Sequence, residues 1–289
     1  MPIYTNSSIA IATCAGVPAP MIAEWVIMNI LAASHKNNTL RDWQVKHAWD
    51  ESGGGKALFT TISSAVGKRF GILGYGAVGR QVANIAQSMG MEIVAYTANP
   101  RTSPESKCYN GYCVPNTGDP EGKIPSKWFD GTDKKSLHDF LAQGMDYLLV
   151  SLPLTKTTRN LLGQEEFELL SSYNSFIINI SRGDVLEQNY LIKALHAYQD
   201  DSLISGGQGR RGLIGAALDV ADPEPLPKNH PLWDAPNCII SPHISGISRE
   251  YGSHAFQILE TNLQRLMEGK RLLNEIDRET GYASATANM

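Results

Sequence analysis

Cysteines are few in this sequence, and their spacing suits neither a metal site nor a redox pair. Four occur among 289 residues, none in a CxxC pair, and no cysteine or histidine lies two to four residues from another. Structural zinc sites need such spacing, so we expect no metal. Unpaired thiols persist in reducing compartments and no signal peptide is apparent, which indicates a cytoplasmic protein.

Long apolar runs and basic clusters are also absent. The most apolar early stretch, residues 21–33, is too short to span a bilayer and contains Glu24 and Asn29. The net charge is -4, and charged residues make up only 19% of the chain. We therefore expect neither a membrane segment nor a nucleic-acid partner.

Short apolar runs alternate with helical periodicity from Lys68 onward, which is typical of a parallel sheet wrapped by helices. The sequence predicts an α/β fold with a doubly wound parallel sheet, and its six strands cover residues 69–73, 92–96, 147–152, 175–180, 214–218 and 238–241. Helices are predicted over residues 20–34, 77–89, 135–143, 164–170, 187–198 and 247–268.

Two predicted connections are long. The first, 102–133, leaves the carboxyl end of a strand, where ligands bind in such folds, and can border a cofactor. The second, 199–212, lies at the opposite edge of the predicted sheet, and we assign it no chemistry.

A glycine-rich turn directly follows the first predicted strand. Gly74, Gly76 and Gly79 form a GxGxxG motif, and an amphipathic helix begins within it at Ala77 and Val78. The first glycine permits a tight turn, the second lets backbone approach a pyrophosphate, and the third lets helix and strand pack closely. We expect a dinucleotide on this turn; the alternative is a packing turn in an unliganded sheet.

The acidic residue that usually holds the adenosine ribose of NAD, about 20 residues after such a turn, is absent. The second predicted strand is followed by Thr97 and Arg101. A hydroxyl and a guanidinium tolerate a 2′-phosphate, which a carboxylate would repel. The sequence therefore favours NADP over NAD, unless Arg101 is only a solvated loop cation.

Three further segments resemble the D-isomer-specific 2-hydroxyacid dehydrogenase family. They are SLPLTKTTRNLLG from Ser151, INISRGDVLEQNYLIKAL from Ile178 and ALDVADPEPLPKNHPLWDAPNCIISPHISG from Ala217. With the glycine motif, the resemblance covers about residues 16–246. It implies a Rossmann domain that transfers hydride between a nicotinamide and a small 2-oxo or 2-hydroxy acid.

The same resemblance implies roles for three catalytic residues. Arg182 would grip the substrate carboxylate and carbonyl, His243 would exchange a proton with the carbonyl oxygen, and Glu224 would bond the histidine. A carboxylate on one ring nitrogen fixes the tautomer and leaves the other nitrogen to carry the proton. The alternatives are a structural histidine, an exposed turn at Glu224 with Asp222 as the rival carboxylate, and a turn cap at Arg182.

The resemblance also implies contacts with the cofactor. Asp219 would orient the nicotinamide carboxamide, and Leu152 and Pro153 would form an apolar wall near the adenosine. Family members commonly form dimers through the region that corresponds to the helix over 20–34, so a homodimer is a further expectation.

Most of the family's substrate domain has no counterpart in this sequence. Members begin with roughly a hundred residues, the size of an ordinary small domain, before the segment that resembles VPAPMIAEWVIMNILAAS, whereas 16 residues precede it here. We expect residues 1–16 to be a remnant of that domain, 17–246 the dinucleotide-binding domain, and 247–289 a C-terminal helix returning to the substrate domain. A truncated gene, a mis-assigned start and a natural remnant all stay open.

Two functions therefore compete. The first is an NADP-dependent reductase of a small 2-oxo acid such as glyoxylate, hydroxypyruvate or an aryl pyruvate. The second is a cofactor-binding protein without turnover, either a degenerate paralogue or an interaction module of the same fold. The presence of Arg182, Glu224 and His243 together favours chemistry, whereas the short amino terminus favours the second function.

Overall fold

Seven parallel strands form one sheet in the computed structural model, which describes residues 7–49, 61–199 and 211–278. The strands are β1 (Arg69–Leu73), β2 (Glu92–Thr97), β3 (Lys127–Asp130), β4 (Tyr147–Val150), β5 (Phe176–Asn179), β6 (Gly215–Leu218) and β7 (Cys238–Ile240). Their order across the sheet is β3-β2-β1-β4-β5-β6-β7. This is the doubly wound arrangement that the alternating pattern predicts. Most of the predicted connection 199–212, and parts of the two outer predicted domains, lie outside the described residues.

Helices cover both faces of the sheet. In the described residues they are α1 (Ala19–Ser34), α2 (Asn37–Val45), α3 (Ala77–Ser88), α4 (Pro104–Lys107), α5 (Lys134–Leu141), α6 (Gln164–Ser171), α7 (Gln188–Gln199) and α8 (Tyr251–Met267). All six predicted helices are present, with ends shifted by a few residues. Within these segments, no helix combines the length and apolar character needed to cross a membrane.

The strands separate two apolar cores. On one face, α1 and α3 pack on the sheet through Val26, Ile30, Ile72, Val82 and Ile93. On the other, the core includes Phe140 of α5, Phe167 of α6, Leu191 of α7, Leu148 and Ile177. Strands β4 and β5 are buried along their whole length, because both of their faces are covered, and this explains their unbroken apolar runs.

The apolar stripe of α1 packs within its own chain. Ala23, Val26 and Ile30 are fully buried in the same cluster as residues of α3 and the sheet. On the outward side Met28 is 55% exposed. The apolar stripe of α1 is therefore largely buried within the chain. The outward side of the helix, at Met28, is exposed to other molecules.

The sequence does not predict the seventh strand, β3, which lies inside the connection 102–133. Among the described residues it pairs only with β2, at the edge of the sheet, and its residues Trp128 and Phe129 are half-buried. A strand in this position needs no continuous apolar run, so periodicity does not reveal it. The sequence also does not predict α2, because none of its residues is buried.

Parallel strands place their carboxyl ends at one edge of the sheet. Gly74 follows β1, Thr97 ends β2, Arg182 follows β5, Asp219 follows β6 and His243 follows β7. The fold therefore gathers the predicted cofactor and catalytic segments along a single edge.

Candidate active site

The turn between β1 and α3 has no room for side chains at two of its glycines. Gly74 has a φ of +103°, and a Cβ on it would overlap the carbonyl oxygen of Ser151, just beyond β4. A Cβ on Gly79 would overlap the carbonyl oxygen of Gly74. The turn, the helix and the neighbouring strand therefore approach each other as the motif predicts.

Gly76, in contrast, borders open space. A Cβ there would meet nothing within 4 Å, and no side chain caps the helix at this residue. The first backbone N–H groups of a helix have no partner within the helix, and they attract phosphate. At Ala77 and Val78 this turn therefore fits a pyrophosphate resting against bare backbone.

An open cleft extends from the glycine turn to the end of β2. Leu152 and Pro153 line it, and they also line an adjoining, mainly apolar hollow together with Tyr96 and Leu161. An apolar hollow beside a phosphate-binding turn suits an adenine ring. The long connection after β2 borders the cleft through Cys108, Tyr109, Asn110 and Gly111.

Thr97 and Arg101 both lie in this cleft, but they differ in the hydrogen-bond donors left for a ligand. Thr97 is buried, and its hydroxyl donates to the carbonyl of Asn99 at 2.8 Å. Arg101 donates from Nη1 to the carbonyl of Ser106, whereas its Nε is buried and has no partner. Arg101 therefore keeps donors for a bound anion, while Thr97 would first have to turn away from Asn99.

Arg182 lies in a turn built around a buried amide. Asn179 is fully buried; it donates to the Arg182 carbonyl at 3.0 Å and accepts from the Ser181 N–H at 3.0 Å. A Cβ on Gly183 would overlap the backbone of Ala221, so this turn packs directly on the segment after β6. The Arg182 guanidinium is exposed, with Nη1 donating to the Ser181 carbonyl at 2.6 Å.

Glu224 and His243 contact each other, as the family motif implies. Nδ1 of His243 lies 3.0 Å from one carboxylate oxygen of Glu224, and the other oxygen accepts from the Ala221 N–H at 3.1 Å. The rival Asp222 bonds Gln188 through its backbone, and its carboxylate has no hydrogen-bond partner in the described chain. The pair leaves Nε2 of the histidine for proton exchange with a bound molecule.

Asp219 holds the turn that carries His243. Its carboxylate accepts from the hydroxyls of Ser241 and Ser245 and from the N–H groups of Ile244 and Ser245. Its carbonyl accepts from the His243 N–H at 2.8 Å. These bonds fix His243 at a φ of +55°, a left-handed conformation that residues other than glycine rarely adopt.

A carboxylate offers about four acceptor positions. Asp219 is 2% exposed and already has four hydrogen bonds to its oxygens. Its expected contact with the nicotinamide carboxamide stays a prediction, because that contact would have to share an oxygen with the His243 turn.

Sequence reasoning missed the residues that support these turns. Asn179 did carry a signal, since a polar residue ends an otherwise apolar buried strand and must find partners there. Ser241 and Ser245 carry none, because serine is common in surface loops. Their partner is also remote, since Asp219 precedes them by 22 and 26 residues.

One further cluster has the side chains of a metal site. Ligand atoms of His138, Glu165 and Glu166 lie within 4.8 Å of one another. Glu166, however, is buried and accepts from the Lys134 ammonium at 2.6 Å and from the Gly163 N–H at 2.9 Å. These contacts satisfy the carboxylate at the start of α6, and we assign the cluster a structural role.

Comparison with known proteins identifies the family. Residues 27–115 and 119–245 match the NAD-binding domain of the D-isomer specific 2-hydroxyacid dehydrogenases. The chain belongs to this family. The match contains the glycine turn, the Arg182 turn, Glu224 and His243.

Two named relatives are about 30% identical to this chain over the aligned residues. A glyoxylate reductase from Aeropyrum pernix is 31% identical over 214 residues, which are 74% of this chain and 52% of that protein. A hydroxypyruvate reductase from Blautia hydrogenotrophica is 29% identical over 206 residues, covering 70% of this chain and 51% of that protein. The chain spans about half the length of these two relatives.

A solved structure extends the comparison to nearly the whole chain. It is a D-isomer specific 2-hydroxyacid dehydrogenase from Xanthobacter autotrophicus in complex with NADPH and MES. The two proteins are 25% identical with a TM-score of 0.68, over 96% of this chain and 95% of that one.

The substitution Asp219→Asn tests the support of the His243 turn. An amide NH₂ would face N–H and hydroxyl donors, so we expect the free energy of unfolding to fall by about 1–3 kcal/mol in urea titrations. Asp222→Asn is the matched control, because that carboxylate is exposed, and it should stay within about 0.5 kcal/mol of the parent protein. Equal losses in both variants would contradict the assignment.

Proposed function

We propose that this protein interconverts a small 2-oxo acid and a D-2-hydroxy acid, with NADP(H) preferred over NAD(H). The observation that carries the proposal is the 3.0 Å contact between His243 and Glu224, at the same sheet edge as the glycine-rich turn. A histidine held by a carboxylate at the same sheet edge as a dinucleotide turn is suited to proton transfer coupled to hydride transfer.

The proposed reduction divides the work among three side chains. The nicotinamide, when bound, supplies the hydride to the carbonyl carbon. Nε2 of His243 gives a proton to the carbonyl oxygen, so the carbonyl becomes an alcohol, and in the oxidative direction Nε2 takes that proton back. Glu224 keeps Nδ1 as a donor and thereby holds the ring in place. Arg182 binds the substrate carboxylate with its planar fork of donors.

The substrate class follows from Arg182 and from the relatives. The Arg182 turn packs on Ala221, whose N–H donates to Glu224, and an exposed guanidinium in this turn favours an acid as substrate. Two of the relatives are named for glyoxylate and hydroxypyruvate. We therefore propose a small, polar 2-oxo acid.

The preference for NADP(H) rests on the end of β2. None of the residues 97–101 is acidic, and the Arg101 Nε lies buried without a partner. A 2′-phosphate would supply the acceptor that this guanidinium lacks. The structure from Xanthobacter autotrophicus, which contains NADPH, adds support.

We also propose a division of the chain, its compartment and its assembly. Residues 17–246 would form the dinucleotide-binding domain, and in support the segments on either side of it pair through an isolated bridge between Ala12 and Glu275. The four cysteines form no disulfide, which supports the cytoplasm. A homodimer would form on the outward side of α1, where Met28 and Leu31 line a shallow hollow with Ile85.

The enzyme assignment is tested by following NADPH absorbance with glyoxylate, hydroxypyruvate and phenylpyruvate. We expect turnover with at least one acid, and His243→Asn should lower kcat by about 10²–10⁴-fold while leaving NADPH affinity unchanged. Asparagine tolerates the left-handed backbone at this position. His196→Asn is the control, because His196 is exposed on α7.

Two results would count against this assignment. Turnover that survives in His243→Asn would remove the proton donor from the scheme. Saturable NADPH binding by the parent protein, without turnover of any acid, would favour a cofactor-binding protein that does not catalyse.

The cofactor preference is tested by Arg101→Ala. Losing the guanidinium should raise the Kd of NADPH by about tenfold or more, because a charge-assisted contact to the 2′-phosphate is lost, and should change the Kd of NADH by less than about twofold. Fluorescence titration of both cofactors measures this. Arg159→Ala, at an exposed cation paired with Asp184, should change neither Kd. Equal effects on NADPH and NADH would remove Arg101 from phosphate recognition.

The dimer is tested by Met28→Glu. A charge on this outward face would be buried between two copies, so sedimentation should change from dimer to monomer. Phe256→Glu is the control, because Phe256 is 72% exposed on a different helix, α8. A Met28→Glu protein that still sediments as a dimer would exclude this face.

A further inference from the structure

Arg80, in the first turn of α3, is a buried cation for which the proposed reaction gives no role. It is 1% exposed, and it donates to the carbonyls of Asp119 at 2.5 Å and Lys107 at 2.6 Å. Its guanidinium also lies 4.9 Å from the ring centre of Tyr75 and 5.3 Å from that of Tyr109. Its Nε is buried without a hydrogen-bond partner.

The contacts of Arg80 meet those of Arg101 on the short helix α4. Arg80 donates to the carbonyl of Lys107, and Arg101 donates to the preceding carbonyl, that of Ser106. The helix itself is a closed unit, because Ser103 and Ser106 cap each other with reciprocal bonds of 3.0 and 3.2 Å. A shift of α4 would therefore move the carbonyl that holds Arg101.

The two guanidinium groups line the same cleft. Neither forms an ion pair with a carboxylate of the described residues, and each has a buried Nε without a partner. Burial lowers the pKa of Arg80, and the positive charge of Arg101 lowers it further, while Tyr75 and Asp119 oppose this. Two cations on one cleft without a carboxylate partner indicate that an anion balances their charge, and Arg101 keeps donors to bind it.

We propose that Arg80 is a positioning residue for NADP(H) recognition, which holds α4 against α3 so that α4 holds Arg101 where it meets the 2′-phosphate. This inference rests on the proposed function, which assigns Arg101 to the phosphate and gives Arg80 no part. Arg80 acts through α4 and Arg101 and does not itself touch the ligand.

A double-mutant cycle measures this coupling. The probes are adenosine 2′,5′-bisphosphate and adenosine 5′-monophosphate, which differ only in the 2′-phosphate, and calorimetry gives each Kd. Arg80→Met should weaken the bisphosphate about tenfold and the monophosphate less than about twofold. In the Arg101→Ala background, Arg80→Met should have no further effect on the bisphosphate, because the two residues act in series.

Two other variants separate this role from general loosening of the fold. Ser103→Ala breaks the capping pair of α4 without altering the buried core, and it should also weaken the bisphosphate selectively. Asn84→Ala removes a 2.9 Å contact to the carbonyl of Gly118, in the middle of the same connection and beyond the end of α4 at Lys107. It should leave the ratio of the two affinities unchanged. Ser103→Ala keeps the test decisive if Arg80→Met does not fold.

The outcomes distinguish this inference from the proposed function. If Arg101→Ala weakens the bisphosphate but Arg80→Met and Ser103→Ala do not, only the inference fails. If Arg101→Ala leaves both nucleotides unchanged, the 2′-phosphate site fails and the inference fails with it. Additive losses in the double variant, or equal weakening of both nucleotides by Arg80→Met, would also overturn the role of Arg80.

Discussion

Gly74 passes so close to the end of β4 that a single added carbon would overlap the carbonyl of Ser151. This contact fixes the start of α3. At Gly79, the first turn of α3 packs directly against the carbonyl of Gly74. Tyr75 and Arg80 project from this fixed corner and bind the connection after β2 through Asp119. The wall of the cofactor cleft therefore depends on a contact between two backbones.

At the other end of the same sheet edge, a close backbone contact is combined with buried polar side chains that hold the turns. Gly183 lets the Arg182 turn touch the backbone of Ala221, while buried Asn179 and Asp219 bond the turns after β5 and β7, respectively. Glu224 has a different task because its environment differs. Its side chain is 39% exposed and bonds a histidine that is 48% exposed, so both can reach a small ligand. Asp219, saturated and buried, gives the histidine a fixed backbone.

The features predicted correctly from sequence are those with local causes. The glycine motif, its strand and its helix lie within some 20 consecutive residues, and the contact between Glu224 and His243 joins motifs whose spacing the family fixes. The sequence does not reveal edge strand β3, because that strand has no apolar run. It does not reveal the role of Arg80 either, because the carbonyl partners of Arg80 lie 27 and 39 residues away. Nothing in the local pattern names these partners, since the fold alone brings them together.

Arg80 nevertheless obeys simple physical rules. The dipole of α3 disfavours a cation in its first turn by about 0.3–1 kcal/mol, and burying a guanidinium costs several kcal/mol unless hydrogen bonds and nearby charge offset it. Two carbonyls, one of them on the last residue of α4, and the faces of two tyrosines supply that compensation. Lysine has one ammonium and no planar fork, so it would serve two carbonyls on separate segments less well. The arginine after the third glycine is thus explained by the connection after β2, which it holds in place.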